Sequence, residues 1–208
     1  MTSEQLRMVL ATRNRDKVLE IRAGLTDFAV EILSLEAFPQ APEVIEDGET
    51  LEANAAKKAV MIHEYTGLPA LADDSGLFVA ALHGAPGVYS NRYAGEQATY
   101  QDNVKKLLWE MRAVPAAARA AEFVSVMAFA HNGQVHLLRG VCPGSIAPAP
   151  RGEGQFGYDP VFIVAGRSRS FAEMTLAEKN IVSHRGLVLV EFKKLFLQLG
   201  LVKQEEKN

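Results

Sequence analysis

The sequence predicts a mixed α/β fold, a sheet with helices packed on it that is not purely parallel. Three observations carry this. Short apolar runs alternate with amphipathic helical stretches through the first part of the chain. An Asn132-Gly133 pair stands between two long apolar runs, and a short apolar run followed by a long helical pattern closes the sequence. Alternation of strand and helix gives parallel neighbours joined by crossovers, whereas Asn-Gly between apolar runs demands an antiparallel hairpin. The sheet is therefore mixed.

The elements follow in order. Residues 7–11 read as a short buried strand, and from Lys17 onward Val18, Ile21 and Leu25 recur at helical spacing. Residues 28–35 return to a strand-like pattern. A Pro- and acid-rich loop follows at 39–48, where Glu43, Glu46, Asp47 and Glu49 crowd together. Residues 51–65 are rich in alanine and suit a helix that ends near Gly67. Residues 68–72 look like a strand, after which Asp73-Asp74-Ser75-Gly76 has the composition of a turn. Gly84-Ala85-Pro86-Gly87 is read as a tight turn or loop. Thr99 and Asp102 make a capping box for a helix running toward Met111, and 115–121 reads as a connecting loop.

Residues 122–131 and 134–142 form the arms of the Asn-Gly hairpin. Four glycines and three prolines mark 143–157 as loop. Residues 161–165 are a further strand. Ser183 is placed to cap a final helix through Leu199, with Leu187, Val190, Phe192, Leu195 and Leu199 as its core contacts. Met61, Trp109, Met111 and Met127 are expected in the core. No repeat or linker divides the chain, so residues 1–201 read as one domain whose lobes, if there are two, are built from interleaved segments. Residues 202–208 read as a flexible charged tail.

Bulk properties narrow the function classes. The chain has 208 residues, 48% apolar and 23% charged, with a net charge of -3. That balance carries no polybasic signature, so a nucleic-acid partner is not expected. The single cysteine, Cys142, excludes an intrachain disulfide and a multi-cysteine zinc site. Nor do His63, His83, His131 and His136 have zinc-ligand spacing. No charged leader or long apolar segment stands out, so a soluble cytoplasmic protein without membrane contact is the expectation.

Three short runs carry chemistry. The run from Ala11 to Lys17 lies where a strand yields to a helix, so unpaired helix amides and the Lys17 ammonium favour a phosphate, with Arg13 and Arg15 adding positive charge. It is not a Walker motif, because the glycines are absent. One of Lys57 and Lys58 is expected to line the same site. Asp73 and Asp74 follow a strand directly and cannot share one core face if the strand continues. At least one should reach its carboxyl end, where ligands bind in α/β sheets, and a second acid from 43–49 would share a magnesium ion there. In the third run, Phe156 and Tyr158 flank Gly157 and offer a stacking face beside Asp159. His184 and Arg185 fall in the first turn of the last helix, where cations are unfavourable, which points to a task beyond helix stability.

Taken in order, these elements resemble the inosine triphosphate pyrophosphatase family, which acts on abnormal purine nucleoside triphosphates. The matching residues are Ala11-Thr12-x-Asn14-x-x-Lys17-x-x-Glu20, Asn54-Ala55 with Lys58-Ala59, and Leu71-Ala72-Asp73-Asp74-Ser75-Gly76-Leu77. They continue with Gly84-Ala85-Pro86-Gly87-Val88-Tyr89-Ser90, Arg92-Tyr93, Phe156-Gly157-Tyr158-Asp159-Pro160, and Lys179 before Ser183-His184-Arg185-Gly186. The set covers essentially the whole chain.

The resemblance implies an elongated mixed sheet flanked by helices, two lobes around a central substrate cleft, and a homodimer. It implies magnesium-dependent hydrolysis of inosine, deoxyinosine and xanthosine triphosphates to the monophosphate and pyrophosphate. Asp74 would be the catalytic carboxylate and, with Glu46, a magnesium ligand. The substrate would be held by Thr12, Arg13, Asn14, Arg15, Asp16 and Lys17, by Ser75 and Lys179, and by Phe156, Gly157, Tyr158, Asp159, His184 and Arg185. Within that set Thr12, Asn14 and Lys17, helped by Lys179, would grip the phosphates, Phe156 would stack on the base, and Asp159, His184 and Arg185 would read its edge. Ala53 with Glu52, Glu122 and Ser125 depart from the usual pattern. The Ala53 departure bears on a second acid only. The other two lie in the hairpin and are expected to alter packing or dimer contacts. The alternatives are a Maf-like pyrophosphatase of pyrimidine or modified nucleotides, and a nucleotide-binding module without turnover.

Overall fold

The computed structural model describes residues 6–201. The charged tail expected at 202–208 lies outside the described residues. Among the described residues seven strands form one mixed sheet with the order β2-β1-β3-β5-β6-β7, and β4 pairs with β3. The strands are β1 (Leu6–Leu10), β2 (Val30–Ser34), β3 (Ala70–Val79), β4 (Pro86–Gly87), β5 (Ala120–His131), β6 (Gln134–Ile146) and β7 (Phe162–Val164). Among the described residues five α-helices accompany them: α1 (Arg15–Gly24), α2 (Leu51–Thr66), α3 (Tyr100–Glu110), α4 (Leu176–Val182) and α5 (His184–Gln198). β1 runs parallel to both β2 and β3, whereas β3–β4 and β6–β7 are antiparallel. The mixed α/β class is therefore as the sequence predicts.

The chain divides into two compact units of interleaved segments. One holds the chain up to Asp74, Val126–Arg139, and the chain from Arg185 on; the other holds Ser75–Ser125 and Gly140–His184. Each has its own core. In the first, Met8 and Leu10 of β1, Ile21 of α1, Leu71 of β3, Met127 and Phe129 of β5, and Val188, Phe192 and Phe196 of α5 pack together. In the second, Leu77, Val104, Leu107, Phe123, Phe162 and Phe171 do so, with Cys142 buried among them.

Local chemistry explains most boundaries. Asn132 and Gly133 have φ of 49° and 73°, the left-handed pair that a two-residue hairpin turn needs. Gly67 ends α2 at φ 67°, and Thr99 with Asp102 closes the capping box of α3.

Several expectations are corrected. Asp73-Asp74-Ser75-Gly76 is not a turn: β3 runs straight through it to Val79. Both carboxylates are buried, which demands a partner, and each aspartate has a cation. β6 continues through Pro143 and Gly144 to Ile146, where β7 pairs with it, so the loop begins later than the glycine and proline count suggests. Pro86 and Gly87 form a two-residue strand rather than only a turn. Trp109 is 63% exposed and lies against the Arg112 guanidinium at 4.0 Å, so it is no core residue, although Met111 and Met127 are. Met61 is only partly buried. On α5 the buried apolar side chains are Val188, Leu189, Phe192 and Phe196; Leu195 and Leu199 pack against that core as expected. Leu187 and Val190 are exposed instead, Val188 and Leu189 taking the core positions expected of them. Helix α4 escaped the sequence reading altogether.

Candidate functional site

In the first unit an acid and cation cluster grows from α1, α2, β3 and α5. Asn14 caps α1, its Oδ1 accepting from the amides of Asp16 at 3.0 Å and Lys17 at 3.2 Å. Thr12 Oγ1 accepts from the Asn14 amide at 3.2 Å, which fixes the turn out of β1. Lys17, on the first turn, is drawn back to β3: its Nζ lies 2.8 Å from Asp73 Oδ2 and donates to the Asp73 carbonyl at 3.2 Å. Arg13 donates to the Ala41 carbonyl at 3.0 Å, and Arg15 makes a solvent-exposed pair with Glu36. Asp16 stands in the first turn, where the helix dipole favours an acid.

Because successive side chains of a strand point to opposite faces, the two aspartates of β3 find different partners. Asp73 meets Lys17 and the Arg185 guanidinium, the latter at 2.9 Å. Arg185, 1% exposed, also pairs with Glu20 of α1. Burial alone would push the Asp73 carboxyl up, but Arg185 and Lys17 hold it well below the usual carboxylate range. Asp74 meets Lys58 instead, Nζ to Oδ1 at 3.2 Å. Its Oδ2 is buried and has no hydrogen-bond partner among the described residues. Burial raises the Asp74 carboxyl above its ordinary value even though Lys58 and Lys17 pull it down.

Lys58 is the residue that sequence reasoning underrated. Its ammonium donates to Glu46 Oε1 at 2.6 Å, the Asp73 carbonyl at 3.0 Å and Asp74 Oδ1 at 3.2 Å, which uses all three protons. Burial works against its charge, yet Asp74 and Glu46 outweigh that and raise its pKa. The signal was present: Lys58 lies on the same stripe of α2 as buried Leu51, Ala55 and Ile62, where a solvated lysine does not belong. Lys57, the other candidate, pairs with exposed Asp47. Asn54 delivers Glu46 to the cluster. Its buried amide accepts from the Gly48 amide at 2.8 Å and donates to the Gly48 carbonyl at 3.4 Å, pinning the acidic loop to α2. A Cβ at Gly48 would stand 2.6 Å from Asn54 Oδ1, so the pin needs glycine. Ser75 follows on β3, half-buried.

The second unit gathers the aromatic residues. Gly157 turns at φ 54° between Phe156 and Tyr158. Lys179 of α4 pairs with Asp159, both buried, and its ammonium lies 4.9 Å from the centre of the Phe156 ring and 5.4 Å from that of Phe171. α4 is capped by Thr175 with Glu178, which also binds Arg169. His184 is 3% exposed and stacks on Phe123 at 4.5 Å and 12°. Tyr158 is buried and donates its hydroxyl to the Ser90 carbonyl at 2.9 Å. Tyr100, which the sequence did not single out, meets Phe156 edge-on at 5.6 Å and 78°.

The expected residues thus fall into two sets. Glu46, Asp74 and Lys17 come together in the first unit with Arg185, which engages Glu20 and Asp73. Phe156, Gly157, Tyr158, Asp159, Lys179 and His184 belong to the second.

A mixed sheet flanked by helices, with buried acids paired to lysine and arginine, defines the class as α/β. The comparisons make it particular. A profile of the Ham1 family matches residues 8–195, and the chain belongs to that family. It is 50% identical over 188 residues to a dITP/XTP pyrophosphatase of Geobacter sulfurreducens, covering 90% of this chain and 94% of that one. It is 49% identical over 193 residues to a dITP/XTP pyrophosphatase of Syntrophobacter fumaroxidans, covering 92% and 82%. A HAM1 protein structure from Coxiella burnetii superposes with a TM-score of 0.83 at 40% identity, covering 93% of this chain and 99% of that chain. Among the described residues no helix is long and apolar enough to cross a membrane.

Proposed function

We propose that this chain is a nucleoside triphosphate pyrophosphatase that hydrolyses deoxyinosine, inosine and xanthosine triphosphates to the monophosphate and pyrophosphate, with magnesium as its cofactor. The names of its relatives support the substrate class. The observation that carries the chemistry is the buried, partnerless Asp74 Oδ2 beside Glu46 on the shared Lys58 ammonium. A buried carboxylate oxygen without a donor is costly, and it is a natural ligand for a hard divalent cation.

No group of three or more His, Cys, Asp or Glu side chains able to hold a metal exists among the described residues. Magnesium fits a two-acid site nonetheless, since it is commonly held by one or two carboxylates plus water and substrate phosphates. Glu46 and Asp74 would hold it, and when bound it would polarise the phosphates and offset their charge.

The chain's own residues do the rest. Asp74, its basicity raised by burial, orients the attacking water and draws off its proton. The water oxygen bonds to the α-phosphorus, the bond from that phosphorus to the bridging oxygen breaks, and pyrophosphate leaves. Lys17, held by Asp73, stabilises the charge that develops on the phosphates, and Lys58, whose three protons are spent on Glu46, Asp73 and Asp74, contributes its positive charge alone. Asp73 is a positioning residue, held in turn by Arg185. Thr12 and Asn14 shape the α1 terminus that receives a phosphate. For the base, Phe156 supplies the stacking face, and Asp159, Lys179 and His184 the polar edge contacts.

A panel of deoxyinosine, inosine, xanthosine, guanosine, adenosine and uridine triphosphates, assayed with and without magnesium and resolved by ion exchange, tests this. The expected result is monophosphate plus pyrophosphate, with kcat/KM for the inosine and xanthosine substrates at least about tenfold above guanosine and adenosine. Orthophosphate and a diphosphate as first products would overturn the reaction. Equal kcat/KM across the panel would overturn the substrate class, and unchanged turnover in chelator the cofactor.

A further inference from the structure

We infer that Tyr100, the first residue of α3, is a positioning residue for the Phe156 ring and hence for the base, which rests on the stacking role proposed for Phe156. The loop bearing Phe156 is stitched down at its root. Arg151 donates its amide to the Pro160 carbonyl at 2.8 Å, the Ser170 hydroxyl donates to the Arg151 carbonyl at 3.1 Å, and the Gly154 amide reaches the Ala172 carbonyl at 3.4 Å. Residues 151–155 are exposed, Gly152 and Gly157 adopt φ of 79° and 54°, and a cavity of about 270 Å³ lies between the loop and α3, lined by Tyr100, Gln101, Val104, Gly154, Gln155 and Gly157. Phe156 itself is half-buried, with the Lys179 ammonium 4.9 Å from its ring centre.

Two contacts from the first turn of α3 reach the loop tip across this space. Tyr100 meets Phe156 at 5.6 Å and 78°, the edge-to-face geometry that aromatic quadrupoles favour, and Gln101 Nε2 donates to Gln155 Oε1 at 3.2 Å. The helix behind them is well anchored. The Thr99–Asp102 box closes its start, buried Asn103 holds the Ala94 amide at 2.8 Å and the Asn91 carbonyl at 3.0 Å, and Val104 and Leu107 are in the core. Tyr100 therefore transmits the rigidity of α3 to the one aromatic of the loop that is not itself in the core.

The test is kinetic, with deoxyinosine and xanthosine triphosphates as substrates and two product inhibitors as probes. Tyr100→Ala is expected to raise KM and the inhibition constant of inosine monophosphate together, by about three- to tenfold, the scale of one aromatic edge contact. Turnover at saturation and the inhibition constant of inorganic pyrophosphate should stay within about twofold, because neither depends on the base. Tyr100→Phe, which keeps the ring edge, should behave as wild type. Unchanged KM and monophosphate inhibition in Tyr100→Ala overturn the inference, and so does an equal loss in pyrophosphate inhibition, which marks a general structural defect. Phe156→Ala in the same assay separates the two readings. If it raises KM while Tyr100→Ala does not, only the positioning role fails; if it too leaves KM unchanged, the stacking role fails and takes this inference with it.

Discussion

Adjacent aspartates on β3 should respond in opposite ways to loss of charge. Asp73→Asn removes a fully buried carboxylate that neutralises Lys17 at 2.8 Å and Arg185 at 2.9 Å. At an effective dielectric near 20, each contact near 3 Å carries roughly 5–6 kcal/mol of Coulomb energy, most of it offset by the cost of burying the charges. Breaking a buried pair typically costs about 3–5 kcal/mol. Arg185 keeps Glu20 and Lys17 is partly solvated, so the lower end, about 3 kcal/mol, is expected. For a chain of this size that lowers Tm by about 6–12 °C.

The sign with pH follows. Asp73 is held well below its ordinary 3.8, so its contribution is complete above that pH and is lost as pH falls through the depressed native value. Asp73→Asn should lack that acid-side loss. Asp74 is raised instead, so its ionised form costs stability, and the cost grows as pH rises from 3.8 toward the native value. Asp74→Asn, with Lys58 still held by Glu46, should therefore be as stable as wild type or more so at neutral pH while losing most turnover. Urea unfolding in chelator at neutral pH and at graded acidic pH reads both variants. An Asp73→Asn loss under about 1 kcal/mol, or an Asp74→Asn loss as large as that of Asp73→Asn, would refute the division of labour.

Two further outcomes follow from the same cluster and from the hairpin. Lys58→Met leaves Glu46 and Asp74 facing each other without their ammonium; a stability loss of about 3 kcal/mol in chelator is expected, with a larger rise in Tm on adding magnesium than wild type shows, as read by calorimetry. Burial, reinforced by His63 and His136, holds His131 below its ordinary 6.5. The stability its neutral ring contributes is present above that pH and is lost as pH falls through the native value, so His131→Asn should flatten the decline of unfolding free energy on the acidic side of 6.5.

The local parts of this fold were legible because local chemistry decides them. Asn132-Gly133 admits almost nothing but a hairpin turn, Thr99 and Asp102 announce a helix start, and Gly67 announces an end. What escaped was decided by partners distant in sequence. Asp73 and Asp74 look like a turn until Arg185, 112 residues away, and Lys58 are brought beside them. Leu187 and Val190 of α5 were misassigned to the core because they are as apolar as the Val188 and Leu189 that the core takes. Helix α4 was overlooked although Thr175 and Glu178 carry the same capping signature as Thr99 and Asp102. Its seven residues are too few for a periodic pattern. Site residues were easier to name than to assign: Arg185 was expected at the base edge and engages Glu20 and Asp73.

The most direct test of the reaction itself is hydrolysis of deoxyinosine triphosphate in ¹⁸O-labelled water, with the products separated and weighed by mass spectrometry. Attack at the α-phosphorus, as directed from Asp74, puts the label in the monophosphate and leaves pyrophosphate unlabelled. Label in the pyrophosphate instead would place the attack at the β-phosphorus and contradict the account.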